Sequence, residues 1–352
     1  MSWEDNVRRV EPYVPGEQPK ITNVIKLNTN ECPYPPSPKV QQAMRDFDVD
    51  KLRLYPDPQV TDLVQAWADH MGLKPEQVFT GVGSDDVLAI AFLTFFYGKK
   101  PILFPDVTYS FYDVWAELFR IPYETKALDD ALMIHKEDFY GENGGVIIAN
   151  PNAPTGEAAK LSDIEDIILH NPDSVVIVDE AYVDFGADSA VPLIEKYDNL
   201  LVVQTFSKSW ALAGLRIGFA MGQPKLIKYM NDVKFSFNSY TMNTTAIRLG
   251  TVAISDEAYF HEIVDKMVAT RERVKPLLRE LGFRFGDSKS NFIFVTHESI
   301  SAEELFQMLR EKNIFVRYFR KPKRISNYLR ISIGTDEQMD TLLQVLREYI
   351  VK

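Results

Sequence analysis

The residues of this sequence that are best suited to chemistry lie around Lys208. A short apolar run at residues 200–203 is typical of a buried strand, and Thr205, Ser207 and Lys208 follow it closely. An amine at the carboxyl edge of a parallel sheet can attack a carbonyl group and hold it as a Schiff base. The alternative is a solvated surface lysine beside two serines, which is the usual setting of this residue type. Other residues must decide between the two.

An arginine near Lys208 indicates a phosphate site. Arg216 follows eight positions later in a glycine-containing segment. Its planar guanidinium group suits a phosphate dianion, which the hydroxyl groups of Thr205 and Ser207 can also contact. The amine of Lys208 and a phosphate-binding site at Arg216 would then lie close together.

A second strand pattern supplies a carboxylate and a phenol. Residues 175–178 are apolar and β-branched, and Asp179 and Tyr182 follow them. A Schiff-base lysine, a carboxylate that keeps a ring nitrogen protonated and an arginine for the phosphate are what pyridoxal phosphate requires. The sequence therefore predicts this cofactor at Lys208, Asp179 and Arg216.

Three segments together resemble the fold type I pyridoxal-phosphate aminotransferases, class II branch. They are residues 150–156 (NPNAPTG), residues 179–182 (DEAY) and the pair Ser207-Lys208 followed by Arg216. The resemblance runs from about residue 13 to the C-terminus. It implies transfer of an amino group between a phosphorylated imidazolyl amine and 2-oxoglutarate, which gives glutamate. It also implies a homodimer.

The resemblance implies a role for each of several residues. The implied catalytic residues are Lys208, Asp179 and Tyr182. The implied cofactor contacts are Gly83, Ser84, Asp85, Tyr109, Asn152, Asp179, Tyr182, Thr205, Ser207, Lys208 and Arg216, with Tyr55 reaching the cofactor of the partner subunit. The implied substrate contacts are Tyr13, Asn30, Arg317 and Arg330.

The segment GVGSDD, residues 81–86, joins a strand pattern to an apolar helical run. Glycines let a backbone approach a ligand closely, and the free N–H groups at a helix start bind phosphate. A dinucleotide-binding fingerprint would need a third glycine where Asp86 stands. We therefore predict a phosphate-binding turn lined by Gly83, Ser84 and Asp85. A plain strand-to-helix turn is the alternative.

The NPNAPTG loop departs from the commoner family pattern NPNNPTG at Ala153. The asparagine usual at that position donates to the cofactor's phenolic oxygen, and alanine cannot. We predict that Asn152 lies near the cofactor ring and that Tyr182 is the main partner of the phenolic oxygen. The alternative for Asn152 is a role in shaping the loop.

Two arginines and two tyrosines have both a structural and a ligand-binding interpretation. Arg317 and Arg330 each lie in a strand pattern among apolar neighbours, where an unpaired cation is costly. Each should have an anionic partner, and the resemblance favours a substrate anion. Tyr109 is placed to stack on a flat cofactor, and Tyr13 lies in a Pro-rich segment; ordinary packing is the alternative for both.

Strand, loop and helix patterns alternate up to residue 220, which is typical of a doubly wound parallel sheet. Long helical patterns and a few strands follow. We predict an α/β fold with a seven-stranded, mainly parallel sheet, like that of aspartate aminotransferase (fold type I), and a smaller α+β C-terminal domain. The expected division is an arm at 1–30, a cofactor-binding domain at 31–240 and a small domain with its linking helix at 241–352.

Composition excludes several classes of function. With 45% hydrophobic and 25% charged residues, the chain is typical of globular proteins, and a net charge of −11 disfavours a nucleic-acid surface. Neither a signal-type N-terminus nor an apolar run of about 18 residues is present, so we expect no membrane segment. A single cysteine excludes an internal disulfide and favours the cytoplasm, and five scattered histidines predict no metal site.

Rival functions share parts of these patterns. A P-loop nucleotide hydrolase would need GxxxxGK[ST], which the sequence lacks. A non-catalytic regulator built on the pyridoxal fold would usually carry a DNA-binding segment or basic face. A phosphothreonine decarboxylase-like lyase and an aromatic-amino-acid aminotransferase share every cofactor motif, so the sequence leaves them open.

Overall fold

The structure is a computed structural model, and it describes residues 2–20 and 22–351. Its strands are β1 (Ile25–Leu27), β2 (Val78–Gly81), β3 (Ile102–Pro105), β4 (Tyr123–Lys126), β5 (Gly145–Ala149), β6 (Val176–Asp179), β7 (Leu200–Thr205), β8 (Gly218–Gly222), β9 (Phe283–Arg284), β10 (Phe292–His297), β11 (Ile314–Tyr318) and β12 (Leu329–Ser332). Its helices are α1 (Pro38–Arg45), α2 (Thr61–Met71), α3 (Gly83–Phe95), α4 (Tyr112–Phe119), α5 (Leu161–Leu169), α6 (Pro224–Phe237), α7 (Thr244–Ile254), α8 (Glu257–Glu280), α9 (Ala302–Glu311) and α10 (Asp336–Ile350).

The larger sheet has seven strands in the order β2-β8-β7-β6-β5-β3-β4. Strand β8 runs antiparallel to both of its neighbours, and the other pairings are parallel. Strands β5, β6 and β7 are buried along their whole length, because helices cover both faces of the sheet. In β6, Val176 and Val178 face one apolar core and Ile177 faces the other. This is the predicted doubly wound sheet.

The central parallel strands end together at one edge of the large sheet. Ala149 at the end of β5 pairs with Asp179 at the end of β6, and Asp179 pairs with Val203 in β7. The loops that follow these strands therefore meet in one place. Ligands of open α/β sheets bind outside the carboxyl ends of the strands, so this edge is where a site is expected.

The smaller sheet has five strands in the order β1-β11-β12-β10-β9. Strand β1 comes from the N-terminal part of the chain and pairs in parallel with β11, with Ile25 opposite Ile314. The other pairings in this sheet are antiparallel. Its core is a separate apolar cluster that includes residues of α8, α9 and α10. The segment after β1 is thus fixed to the smaller sheet before it reaches the larger one.

Helix α8 connects the two cores. Phe260 and Met267 in its first half belong to the core of the larger sheet, whereas Val274 and Leu278 in its second half belong to that of the smaller sheet. A single 24-residue helix therefore packs against both sheets and connects their cores. None of the helices in the described parts of the chain has the length and hydrophobicity needed to cross a membrane.

The predicted fold class is confirmed by the two sheets and their order. Helix α2 spans residues 61–71, because its amphipathic pattern is bounded by a turn and a glycine. Strands β1 and β9 are too short to show a periodic pattern in the sequence. The division after residues 30 and 240 stays a prediction.

Candidate active site

A cavity of about 340 Å³ lies at the carboxyl edge of the large sheet. Its size falls in the range of small-molecule sites. Strand-end and loop residues line it: Thr29, Glu31, Ser84, Asp85, Tyr109, Ala149, Pro151, Ala153, Asp179, Ala181, Tyr182, Ser207, Lys208, Ala213, Gly214 and Arg216. The structure therefore brings together eight of the predicted site residues: Ser84, Asp85, Tyr109, Asp179, Tyr182, Ser207, Lys208 and Arg216.

Lys208 supplies the amine of the cavity. It follows β7 and is half-buried, with its Nζ 3.4 Å from the backbone carbonyl oxygen of Thr29. The same Nζ lies 5.7 Å from the centre of the Tyr182 ring. No carboxylate is paired with this amine in the described part of the chain, so it is available to a bound carbonyl compound.

Asp179 is a buried carboxylate on the floor of the cavity, 4% exposed. Burial raises the pKa of Asp179 to about 6, while hydrogen bonds from the Tyr112 hydroxyl and the Ala181 N–H lower it. The Tyr112 hydroxyl donates to Asp179 Oδ2 at 2.7 Å. Sequence reasoning missed Tyr112, because nothing in its local pattern distinguishes it from a core aromatic of α4. Only the fold brings it to Asp179.

Arg216 stands at the side of the cavity where α3 begins. Its guanidinium group lies 3.3 Å from Ser207 Oγ and 3.3 Å from Asp85 Oδ2. Asp85 in turn accepts a hydrogen bond from the Tyr109 hydroxyl at 2.7 Å. Thr205 does not line the cavity, and its hydroxyl donates to Ser207 Oγ at 2.9 Å. Thr205 thus positions the Ser207 hydroxyl without lining the cavity itself.

The start of α3 places backbone N–H groups beside this arginine, where both can donate to an anion. No side chain caps the helix, and Ser84 and Asp85 in its first turn line the cavity. Gly83 has a positive φ of 82°, and a Cβ there would stand 2.4 Å from Arg216 Nη2. A Cβ at Gly218 would stand 2.4 Å from the Gly83 carbonyl carbon. Glycine is therefore required at both positions for the helix start to lie against Arg216.

Asn152 does not reach the cavity. Its side-chain amide donates to the Val107 carbonyl oxygen at 2.9 Å and its carbonyl oxygen accepts from the Thr108 hydroxyl at 2.8 Å. Pro151 and Ala153 line the cavity instead. The prediction that Asn152 lies near the ring does not fit this geometry, because its hydrogen-bonding groups are used to shape the loop.

Asn30 also lies behind the cavity wall. It is buried, and its side-chain Nδ2 donates to the Tyr182 hydroxyl oxygen at 2.9 Å. Its neighbours Thr29 and Glu31 line the cavity. The structure therefore brings Asn30 to Tyr182 rather than to the space a substrate would fill.

Arg330, Arg317 and Tyr13 lie outside the set of lining residues. Arg330 lies over the Phe292 ring at 5.2 Å and donates to the Asn28 carbonyl oxygen at 3.2 Å, while its buried Nε has no partner among the described residues. Burial lowers the pKa of the Arg330 guanidinium. Arg317 is next to it across the β11–β12 pair and reaches the backbone of the arm at Val14. An anion would compensate this group of cations.

Two tyrosines expected at the site have other neighbours in the single chain. Tyr13 stacks on Phe111 with 4.2 Å between ring centres. Tyr55 is 83% exposed and packs against Tyr240 at 4.7 Å, away from the lining residues. Among the residues that the structure describes, no group of three or more His, Cys, Asp or Glu side chains is arranged to hold a metal ion.

Comparison with known proteins agrees with this arrangement. The family model for aminotransferase class I and II matches residues 22–346. The chain belongs to this family. It is an aminotransferase, as the motifs around Lys208 predicted, and proteins of the family use pyridoxal phosphate.

The curated relatives match over almost the whole chain. A histidinol-phosphate aminotransferase of Lactococcus lactis subsp. cremoris is 51% identical over 350 residues, which cover 99% of this chain and 98% of that protein. A histidinol-phosphate aminotransferase of Acinetobacter baumannii is 52% identical over 352 residues, which cover 99% of this chain and 97% of that protein.

Solved structures share the fold. Histidinol-phosphate aminotransferase from Sinorhizobium meliloti in complex with pyridoxal-5'-phosphate superposes with a TM-score of 0.80 at 23% identity, over 92% of this chain and 91% of that chain. L-threonine-O-3-phosphate decarboxylase from Porphyromonas gingivalis superposes with a TM-score of 0.78 at 19% identity, over 94% and 100%. At such identities the likeness concerns the fold alone.

Proposed function

We propose that this aminotransferase uses pyridoxal phosphate to move an amino group between L-histidinol phosphate and 2-oxoglutarate, giving imidazole-acetol phosphate and L-glutamate in histidine biosynthesis. The observation that carries the proposal is the cavity in which Lys208, Asp179 and Arg216 converge. The choice of substrate is supported by relatives of about 50% identity that span the chain.

The residues of the cavity fit the cofactor. Arg216, the Ser207 hydroxyl and the N–H groups at the start of α3 form a donor set suited to a phosphate dianion, and Gly83 leaves room for close approach. Asp179 is buried with its pKa raised, so a cationic ring nitrogen would stabilise its charged form. The cofactor, once held there, withdraws electrons from the substrate's α-carbon.

Each remaining step falls to residues of this chain. Lys208 is the side-chain amine among the lining residues of the described chain, and its Nζ would take the proton from the substrate's α-carbon and deliver it to C4′, the aldehyde carbon of the cofactor. Tyr109 and Tyr182 line the cavity, and their side chains would orient a molecule bound there. The Asp179 carboxylate would pair with the protonated ring nitrogen and keep it protonated.

Substrate anions are the proposed partners of Arg330 and Arg317. Both substrates carry a phosphate or a carboxylate, and a planar guanidinium group can donate hydrogen bonds to either one. The unpartnered Nε of Arg330 supports this assignment, as does the adjacent Arg317. Tyr13 is proposed at the same rim, since Arg317 donates to the carbonyl oxygen of its neighbour Val14. Arg330 donates to one carbonyl oxygen, so its guanidinium group can still bind the two oxygens of a substrate phosphate or carboxylate.

One set of assays on the purified protein distinguishes the proposed reaction from the alternative functions. The purified protein should form glutamate and consume 2-oxoglutarate only when the phosphorylated amine is present and pyridoxal phosphate is bound. Release of carbon dioxide from phosphothreonine without 2-oxoglutarate would instead support the decarboxylase, and equal rates with tyrosine or phenylalanine would support the aromatic enzyme. A protein that binds the cofactor but turns over none of these would support the regulator.

A homodimer is proposed as the active unit, with Tyr55 reaching the phosphate of the partner subunit. Tyr55 is exposed in the single chain and packs against Tyr240, which is 45% exposed, and its neighbour Leu54 is 55% exposed. A surface of this kind usually binds another protein. We also propose a cytoplasmic location, supported by the single cysteine.

Mixing two damaged subunits should restore activity if sites are shared. A Tyr55→Phe subunit keeps Lys208, and a Lys208→Ala subunit keeps Tyr55, so a hybrid dimer contains one undamaged site. After equal amounts are dissociated and reassociated, about a quarter of all sites should be intact. The measurement is glutamate formation before and after mixing. Tyr97→Phe is the control, because Tyr97 is 95% exposed and its mixture should behave as the average of its parts. Unchanged activity with Tyr55→Phe would count against shared sites.

The affinity for the cofactor should fall on acidification, and in Tyr112→Phe this decrease should occur at a higher pH than in the wild type. Below the pKa of Asp179, about 6, the carboxyl is protonated and a cationic ring loses its partner. Loss of the Tyr112 hydrogen bond removes a contact that lowers this pKa, so the midpoint rises by roughly 0.5–1 pH unit. The measurement is the dissociation constant of pyridoxal phosphate across the pH range around that pKa.

A second tyrosine–aspartate pair provides the control for Tyr112. The Tyr140 hydroxyl donates to Asp166 at 2.6 Å, and neither residue lines the cavity. Tyr140→Phe should therefore leave the pH dependence of cofactor binding unchanged. An unshifted midpoint in Tyr112→Phe would mean that its hydroxyl does not control the charge of Asp179.

A further inference from the structure

A buried chain of hydrogen bonds leads from the smaller sheet to Tyr182. The backbone N–H of Asn30 donates to Ser332 Oγ at 2.9 Å, and Ser332 Oγ donates to Asn30 Oδ1 at 2.9 Å. The side-chain Nδ2 of Asn30 then donates to the Tyr182 hydroxyl oxygen at 2.9 Å. Asn30 and Ser332 are 1% and 2% exposed, so water does not compete for these groups.

The direction of each bond follows from the one before it. Ser332 Oγ accepts the backbone N–H of Asn30, and the acceptor within reach of its own hydrogen is Asn30 Oδ1. The carbonyl end of the Asn30 amide is therefore turned toward Ser332. Its NH₂ end must then face Tyr182, whose oxygen can only accept from it. The hydrogen of the Tyr182 hydroxyl is left for an acceptor in the cavity that Tyr182 lines.

The backbone around Asn30 keeps the amide in this place. The Asn291 side chain donates to the Asn30 carbonyl oxygen at 3.0 Å. Asn30 has a φ of 56°, in the left-handed region that asparagine tolerates better than most residues. Strand β12 and the residue before β10 thus hold both backbone groups of Asn30, and the side chain has one orientation that uses both of its ends.

We propose that Ser332 and Asn30 are positioning residues that hold the hydroxyl hydrogen of Tyr182 toward the phenolic oxygen of the cofactor. This inference rests on the proposed function. It changes the role predicted for Asn30 from a substrate contact to the orientation of Tyr182. Ser332 has no sequence signal of its own, since it is a small residue at the end of a buried strand.

Removal of the Ser332 hydroxyl should be visible in the spectrum of the enzyme with its cofactor. In Ser332→Ala the Asn30 amide is free to reverse and offer its oxygen to Tyr182, which then donates away from the cavity. The anionic form of the cofactor's phenolic oxygen loses part of its stabilisation. The pH midpoint of the visible absorbance change should rise by roughly 0.5–1 pH unit, the equivalent of one net hydrogen bond.

The same substitution in a second background tests whether Ser332 acts through Tyr182. Ser332→Ala should shift the midpoint in the wild-type protein and leave it unmoved in Tyr182→Phe, because the hydroxyl that it orients is absent there. Ser332→Thr keeps a hydroxyl and should restore the wild-type midpoint. Ser332→Cys is a weaker donor of similar size and should give a smaller shift, which provides a second measurement if one variant does not fold.

Ser290 offers a matched control. Its hydroxyl is also buried, but it has no hydrogen-bond partner among the described residues, so Ser290→Ala should leave the midpoint unchanged. Equal shifts of Ser332→Ala with and without the Tyr182 hydroxyl would overturn the inference, as would no shift in either background. A purified protein that gives no visible cofactor band at all would instead contradict the proposed function.

Discussion

Replacement of Lys208 by alanine is expected to lower the rate of amino-group transfer by roughly 10⁴-fold or more. Among the side chains that line the cavity in the described chain, Lys208 is the one that carries an amine. The proposed function gives this amine two tasks, which are to hold the cofactor and to move the proton at the substrate's α-carbon. Loss of both tasks at once explains the size of the effect. Steady-state glutamate formation measures it.

The Lys208 variant should also lose the visible absorbance of the purified enzyme, while its thermal unfolding stays close to that of the wild type. Lys228→Ala is the matched control, since this exposed lysine pairs with Asp232 on α6. It should keep both activity and spectrum. Transamination at the wild-type rate by Lys208→Ala would show that another group performs the chemistry.

Replacement of Arg330 by lysine should lower kcat/KM for both substrates by about 30- to 5,000-fold. Lysine keeps the positive charge but loses the planar pair of donors, and a buried charge-assisted contact is worth about 2–5 kcal/mol. Burial lowers the pKa of Arg330, and its Nε has no partner in the described chain, so the surrounding protein leaves this cation incompletely compensated. The measurement is kcat/KM for the phosphorylated amine and for 2-oxoglutarate separately.

A second arginine shows whether the loss reflects the site. Arg273 pairs with Asp336 and Asp340 near the start of α10, so Arg273→Lys should leave both kcat/KM values within about twofold of the wild type. If Arg330→Lys affected one substrate only, Arg330 would bind that substrate's own anion. Unchanged kinetics for both would remove Arg330 from the site.

The positions of the strand-end residues were predictable because local patterns determine them. Asp179 and Lys208 each follow an apolar run, and the carboxyl ends of parallel strands meet at one edge. Arg216 was predictable for a related reason, since a short loop keeps it close to Lys208. The sequence thus predicted that an amine, a carboxylate and a guanidinium group would meet, and Lys208, Asp179 and Arg216 line one cavity.

Contacts between distant segments were not predictable in the same way. Tyr112 reaches Asp179 from 67 residues away, and its own pattern is that of a core aromatic. Asn152 was placed near the cofactor by its motif, but its partners at residues 107 and 108 depend on how two loops pack. The orientation of the Asn30 amide depends on a serine 302 residues later. Side-chain hydrogen bonds of this kind have no periodicity in the sequence.

The pairing of β1 with β11 has a consequence for the order in which the protein becomes active during synthesis. The seven strands of the large sheet lie within residues 78–222, so that sheet can form while the rest of the chain is still being made. Strand β1 is made before any of them, yet its partner β11 spans Ile314–Tyr318. Until the ribosome has passed β11, the segment carrying Thr29 and Asn30 has no strand to hold it. Lys208 and the strands of its sheet are therefore synthesised well before β11, the strand that holds the segment completing the wall of the site.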